Sequence, residues 1–90
     1  MNTNFLRKRL DAVMVREVDP EVLLLDTEAD QIHQLNQTAS FIWHRCEEVG
    51  SAEELAALVA AEFDVAQDLI LKDVVETLDK LRALNLIVDA

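Results

Sequence analysis

The stretch QIHQLNQTASFIWHRCEE, residues 31–48, contains the change of pattern that decides the fold. Its first five residues have the alternating character of a strand, although the signal is weaker than in the two strands before it. From Gln37 onward the apolar residues recur at i, i+3, i+4 and i+7, which is typical of a helix. Asn36 stands between the two patterns and is a good N-cap residue. We therefore predict a strand over 31–35 that runs directly into a helix over 37–48.

Two more strands are predicted ahead of this stretch. Residues 12–18 (AVMVREV) are rich in β-branched side chains and end at Asp19-Pro20, a pair that favours a turn. Residues 22–26 (VLLLD) form an apolar run of strand length, and the polar residues 26–30 favour a second turn. Because these connections are short, the three strands are expected to pair as an antiparallel meander.

A second helix is predicted after the first. Gly50 suits the position that follows the end of a helix, where a left-handed residue is common. Ser51 then caps the second helix, and Glu54, three residues later, completes a Ser-x-x-Glu capping box. The sequence therefore marks both the end of one helix and the start of the next.

A third, longer helix is predicted over 67–84. Asn85 follows it at the position where a residue with left-handed backbone conformation commonly ends a helix. The apolar residues 86–88 are expected to pack back onto the core. Three strands followed by three helices indicate an α+β fold with a winged-helix-like arrangement, which we place at residues 12–90. Residues 1–11 are expected to form a flexible N-terminal tail.

Composition limits the classes of function. With 51% hydrophobic residues the 90-residue chain can bury one core, and its single cysteine excludes an internal disulfide, in keeping with a cytoplasmic protein. The net charge of −10 repels phosphate. No apolar run reaches the roughly 20 residues of a membrane span, and no secretory signal is recognisable. We therefore expect neither a nucleic-acid partner nor a membrane partner.

No constellation of catalytic or metal-ligating residues stands out. Cys46 lies on the apolar stripe of the first predicted helix, as a buried structural thiol would. His33 and His44 do not form a usual zinc spacing with it. The single glycine, Gly50, excludes a glycine-rich phosphate loop. We therefore expect no enzyme activity, no catalytic residue, no cofactor and no metal.

The third predicted helix has a wider apolar arc than one buried face requires. One stripe consists of Leu71, Val74, Val75, Leu78 and Leu81, and an overlapping shoulder consists of Ile70, Val74, Thr77, Leu81 and Leu84. Either the other helices and the C-terminal residues cover this arc, or part of the shoulder stays open as one wall of a groove. The sequence leaves both alternatives open.

The strand over 31–35 presents a similar choice, because the last strand of a meander is an edge with unpaired N–H and C=O groups. Its polar residues and the residue before it can protect such an edge from aggregation. They can also flank a site where a peptide adds as a fourth strand. An open edge beside an apolar helical shoulder would suit the second role, because main-chain hydrogen bonds would supply affinity and side-chain pockets would supply selectivity.

Motifs along residues 13–88 resemble those of the PqqD-like proteins. The most specific is Leu-Asn-x-Thr-Ala-x-x-Ile-Trp at residues 35–43. Several weaker motifs occur in the same order as in that family. They are VREV at 15–18, VLLLD at 22–26, Gly50 before Glu53-Glu54-Leu55, Phe63-Asp64-Val65, Asp73-Val74, and Leu81-x-x-Leu84-Asn85-Leu86-Ile87. The resemblance implies a RiPP recognition element, which binds the leader segment of a ribosomally made precursor peptide. Such a protein presents the precursor to a modifying enzyme, often a radical SAM maturase.

The resemblance also implies which residues contact a leader peptide. In the family the leader adds as a strand beside the third strand and lies against the third helix. By position, the implied contacts are Asp30, Gln31, Ile32, His33, Gln34 and Leu35 in the strand, and Ile70, Asp73, Val74, Thr77 and Leu81 in the helix. The chain departs from many relatives by lacking a glycine at 28–30 and an aromatic residue at Ile32. These departures concern the hairpin and the leader pocket, whereas the fold is unaffected.

Two other functions fit the predicted topology. A winged-helix domain can bind DNA, although acidic residues on the third helix oppose an approach to phosphate. These acidic residues are Asp68, Asp73, Glu76 and Asp79. An open edge can also pair with a second copy of itself, which would make the chain a homodimeric interaction domain.

Overall fold

The computed structural model describes residues 6–89. The elements follow in the order β1 (Leu6–Lys8), β2 (Val13–Val18), β3 (Glu21–Asp26), β4 (Gln31–Leu35), α1 (Gln37–Arg45), α2 (Ala52–Phe63), α3 (Gln67–Ala83) and β5 (Ile87–Asp89). The three predicted strands are β2, β3 and β4, and all three predicted helices are present, so the predicted α+β class is confirmed. No helix within this range is both long enough and apolar enough to cross a membrane.

The three predicted strands form one antiparallel sheet in the order β2-β3-β4. In its central strand, Leu24 lies opposite Val15 of β2 and His33 of β4. Burial alternates along β3, with Val22 and Leu24 on the buried side. Because side chains alternate between the two faces of a sheet, this face turns toward the helices and the other turns away. The strand order leaves β2 and β4 at the edges.

The core lies between this sheet and the helices. Trp43 is its largest fully buried side chain. Every strand and helix contributes apolar residues to it, among them Leu6, Val13, Leu24, Leu35, Ile42, Leu55, Val59, Val74, Leu78, Leu81 and Ile87. Full burial of a side chain such as leucine or valine contributes about 1.5–3 kcal/mol. The single core therefore fixes the sheet against all three helices.

The N-terminal residues differ from the prediction of a flexible tail over 1–11. Residues 6–8 form β1, which pairs antiparallel with β5 at the other end of the chain. Leu6 is only 1% exposed, and the Lys8 N–H donates a hydrogen bond to the Glu47 carboxylate over 2.9 Å. The tail prediction is therefore wrong for residues 6–8, because a buried side chain and a strand partner hold them. Residues 1–5 lie outside the described residues.

Side-chain caps confirm the predicted helix starts. The Asn36 side chain accepts a hydrogen bond from the Ala39 N–H at 2.8 Å. Ser51 accepts one from the Glu54 N–H at 3.1 Å, and the Glu54 carboxylate accepts one from the Gly50 N–H at 3.0 Å. These caps satisfy N–H groups that would otherwise lack partners at the helix starts.

The end of α1 is earlier than predicted. The helix stops at Arg45, and Gly50 does not adopt a positive φ, so its predicted role as the residue after the helix is wrong. The chain instead leaves the helix to bury Cys46 and Val49, which are 0% and 6% exposed. At the end of α3 the prediction is confirmed, because Asn85 has a φ of 61°.

Candidate functional site

β4 forms one edge of the sheet. It pairs with β3 on one side, and within residues 6–89 no strand pairs with its other side. The N–H and C=O groups that point outward there are available to another chain. Ile32 on this strand is 69% exposed, whereas Leu35 at its end is buried.

A groove of about 690 Å³ lies between β4 and α3. Residues from β4 form one wall, residues from α3 form the other, and the start of α1 contributes a third part. The lining residues are Ile32, His33, Gln34, Leu35, Asn36, Thr38, Ala39, Ile70, Asp73, Glu76, Thr77, Lys80, Leu81 and Leu84. The free edge of β4 and the groove therefore form one continuous surface.

α3 presents the predicted apolar shoulder to this groove. Val74 and Leu78 pack into the core and are 0% and 1% exposed. Ile70, Thr77 and Leu84 line the groove and are only half-buried. Of the two alternatives left open by the sequence, the structure shows the one in which part of the shoulder is uncovered.

The α3 side of the groove also carries charge. Asp73, Glu76 and Lys80 line the groove and are exposed. Ion pairs between exposed side chains contribute only about 0–1 kcal/mol each. Strong binding in this groove would therefore depend on backbone hydrogen bonds and apolar contacts more than on these charges.

His33 is a polar residue of the β4 wall that faces the helices. Its Nε2 atom is buried and has no hydrogen-bond partner among the described residues. A buried polar atom without a partner costs about 1–3 kcal/mol. We therefore expect His33 to lower the stability of the folded protein at the place where the sheet meets the groove.

Most of the predicted contact residues line this groove, namely Ile32, His33, Gln34, Leu35, Ile70, Asp73, Thr77 and Leu81. Asp30 and Gln31 do not line it, because they lie at the turn where β4 begins. Val74 does not line it either, because it is 0% exposed in the core. Val74 belongs to both overlapping arcs of α3, and the structure places it on the buried one.

The groove includes residues that the sequence reasoning missed, namely Asn36, Thr38, Ala39, Glu76, Lys80 and Leu84. Helical spacing could have found two of them, because Glu76 lies three residues after Asp73 and Lys80 three after Thr77. Leu84 already belonged to the predicted shoulder. The α1 residues had no comparable signal, because their place depends on how α1 packs beside β4.

The thiol of Cys46 is not placed to react. Cys46 is 0% exposed, and burial raises the pKa of its thiol to about 11, so the nucleophilic thiolate is scarce at neutral pH. Within residues 6–89, no group of three or more His, Cys, Asp or Glu residues is placed to hold a metal ion. What the groove provides is a free strand edge and a half-buried apolar wall.

The comparison with family models decides the family. The model described as Coenzyme PQQ synthesis protein D (PqqD) matches residues 21–87. The chain belongs to the PqqD family. The matched range extends from β3 into β5 and so contains both walls of the groove. The comparison with curated proteins gives no match.

Two solved structures are similar to this PqqD-family chain. One, described as "TbiB1 in Complex with the TbiA(beta) Leader Peptide", is 30% identical with a TM-score of 0.78 over 90% of this chain and 94% of that chain. The other, described as "Lasso peptide synthetase B1 complexed with the leader peptide", is 24% identical with a TM-score of 0.79 over 92% and 96%. The second likeness supports the fold alone. The predicted resemblance to PqqD-like proteins is thus confirmed.

Proposed function

We propose that this PqqD-family protein is a peptide chaperone. It binds the leader segment of a ribosomally made precursor peptide by strand addition to β4 against α3, and it presents the precursor to a modifying enzyme. The observation that carries this proposal is the unpaired edge of β4 beside the groove. By its description, the similar structure that is 30% identical is a complex with a leader peptide, which supports the same assignment.

The free edge supplies affinity that does not depend on the side chains of the guest. A guest strand would exchange N–H···O=C hydrogen bonds with β4, and each such bond is worth about 0.5–1.5 kcal/mol net. Several are needed, because ordering a flexible peptide costs conformational entropy. A strand-length contact along residues 31–35 meets that requirement.

The groove supplies selectivity. Side chains of an added strand alternate between the two faces of the sheet, so every second one would point toward the helices. Those side chains would lie beside Ile70, Leu81 and Leu84, which line the groove from α3. Apolar guest residues at these positions would be favoured, because burial of a leucine-sized side chain is worth about 1.5–3 kcal/mol.

The protein supplies recognition, and a separate enzyme carries out the chemistry on the bound precursor. The family resemblance favours a radical SAM maturase, whereas the description of the structure that is 24% identical names a lasso peptide synthetase. The type of maturase that neighbouring genes encode would decide between the two. We place this activity in the cytoplasm, where the single buried thiol of Cys46 stays reduced.

Titration of the ¹⁵N-labelled protein with the leader segment of a precursor peptide, identified from the neighbouring genes, tests the proposal. We expect amide shifts along residues 31–35 and 70–84. We also expect slower hydrogen exchange at the outward-pointing amides of β4, because the guest gives them hydrogen-bond partners. A scrambled leader of the same composition is the control. If the amides of neither segment shift when the leader is added, the proposed binding mechanism is wrong.

The same free edge also favours a second candidate, in which β4 pairs with β4 of another copy. Mass measurement over a concentration series separates the two. A monomer whose β4 amides become protected only with leader supports the chaperone. A dimer whose β4 amides are already protected contradicts it.

DNA binding is not proposed, because α3 exposes Asp68, Asp73 and Glu76 to any approaching phosphate.

A further inference from the structure

A second cavity, of about 390 Å³, lies between the β2–β3 turn and the helices α1 and α2. α1 separates this cavity from the groove. Thr38 and Ala39 line the groove, whereas Ser40, Phe41 and His44 line the cavity. At 100° per residue these two sets occupy opposite sides of the helix. Both surfaces can therefore be occupied at the same time.

The rim of this cavity is acidic. Its lining residues include Glu17, Asp19, Glu21 and Glu62 and no lysine or arginine. The Nε2 atom of His44 lies 3.0 Å from a Glu17 oxygen, and Glu21 accepts a hydrogen bond from the Gln34 amide at 2.8 Å. Within the described part of the chain, Asp19 and Glu62 form no ion pair that would offset their charge.

The cavity also has an aromatic side. Phe41 and Phe63 meet edge to face with their ring centroids 5.6 Å apart, and both rings are only half-buried. The guanidinium carbon of Arg45, which does not line the cavity, lies 5.5 Å from the Phe41 centroid. This ring thus already accepts a cation in the protein itself, as aromatic rings commonly do.

Carboxylates around an aromatic side favour a large organic cation. Between residues 6 and 89 they do not converge into a group that could hold a metal ion. A guanidinium matches the arrangement, because it is planar, stacks on aromatic rings and has five N–H donors that can reach several carboxylates. An ammonium group is a compact point charge and would use fewer of these contacts.

We propose that this acidic cavity, defined by Glu17, Asp19, Glu62 and the Phe41 ring, binds an arginine side chain of the modifying enzyme. The inference rests on the proposed function, because a protein that presents a guest needs a second surface for the enzyme. The position of the cavity across α1 from the groove fulfils this need. Charge complementarity identifies the docking segment of the enzyme as basic.

Titration of the ¹⁵N-labelled protein with the tripeptide acetyl-Gly-Arg-Gly-amide tests the cavity while the groove is empty. We expect saturable shifts at residues 17–22 and 40–44. The double variant Asp19→Asn, Glu62→Gln should bind about fivefold more weakly, because it removes two carboxylates that would form exposed ion pairs with the guanidinium. The matched control Glu53→Gln, Asp68→Asn changes the net charge equally away from the cavity and should bind as the parent protein does.

The outcomes separate an arginine site from general attraction to an acidic protein. Equal loss of binding in the cavity variant and in the control would overturn the inference. A control tripeptide has norleucine, which is uncharged, in place of arginine. Equal amide shifts with this control would overturn the inference as well. Leader titration of the double variant distinguishes this failure from a failure of the proposed function. If the groove is the leader site, residues 31–35 and 70–84 still respond in that variant.

Discussion

His33 of β4 lies directly opposite Leu24 of β3, so its ring shares a sheet face with a side chain that is 0% exposed. The buried Nε2 atom there has no partner among residues 6–89. We expect His33→Leu to raise the free energy of unfolding by about 1 kcal/mol, because it removes an unsatisfied polar atom. Urea denaturation measures the change.

Gln34→Leu is the matched control for His33→Leu. Gln34 is the next residue of β4, is exposed and donates a hydrogen bond to Glu21. Its replacement is expected to change the free energy of unfolding by less than about 0.5 kcal/mol. A clear loss of stability in His33→Leu would show that the imidazole has a favourable contact in the folded protein.

Two adjacent residues of α3 separate the groove from the open surface. Ile70 lines the groove and is half-buried, whereas Leu69 is 74% exposed and does not line it. We expect Ile70→Ser to weaken leader binding about tenfold, because apolar contacts worth about 1.4 kcal/mol or more are lost. Leu69→Ser should leave the affinity unchanged. Calorimetric titration measures both affinities. Equal effects of the two substitutions would mean that the leader does not bind against the α3 wall of the groove.

The buried first strand is open to a similar paired test. Leu6 is 1% exposed and Leu10 is 58% exposed. Leu6→Ala is expected to lower the free energy of unfolding by about 2–5 kcal/mol, because it leaves a cavity in the core. Leu10→Ala should change it by less than about 0.5 kcal/mol. Equal effects in chemical denaturation would mean that β1 does not belong to the cooperative fold.

The thiol of Cys46 links stability to alkaline pH. Burial raises the pKa of this thiol from its ordinary value of 9.0 to about 11 in the folded protein. The folded state therefore disfavours the thiolate, so this contribution is complete below pH 9 and is lost as the pH rises toward 11. We expect the parent protein to lose about 2 kcal/mol more than Cys46→Ala across this range. If the free energy of unfolding changes with pH equally in the two proteins, the thiol does not link stability to alkaline pH.

The elements that the sequence predicts well are those with local signals. The start of α1 follows from the Asn36 cap. The signal for β4 is weaker, because Ile32 and Leu35 are three residues apart and lie on opposite faces of the strand. β1 had no such signal, because its partner β5 lies at the opposite end of the chain and a three-residue strand has no recognisable period. Non-local pairing of this kind depends on the folded arrangement of everything between the two strands.

The residues of the groove also divide into those that have a local sequence signal and those whose position depends on packing. Ile70 and Thr77 belong to the shoulder that helical spacing identifies, and the family resemblance implies them as contacts. Val74 could not be assigned, because it belongs to both arcs of α3 and only packing decides which arc is buried. Thr38 and Ala39 were missed because the angle at which α1 leaves β4 has no signature in the sequence.

The pairing of β1 with β5 has a mechanical consequence. Leu6 lies opposite Asp89, and Lys8 lies opposite Ile87, so the two outermost residues of the described chain form the outermost pair of this small sheet. A force that pulls the two ends apart would load that pair first and then open the next pairs in turn. The strands would unzip at low force, because their few hydrogen bonds would break one after another instead of sharing the load.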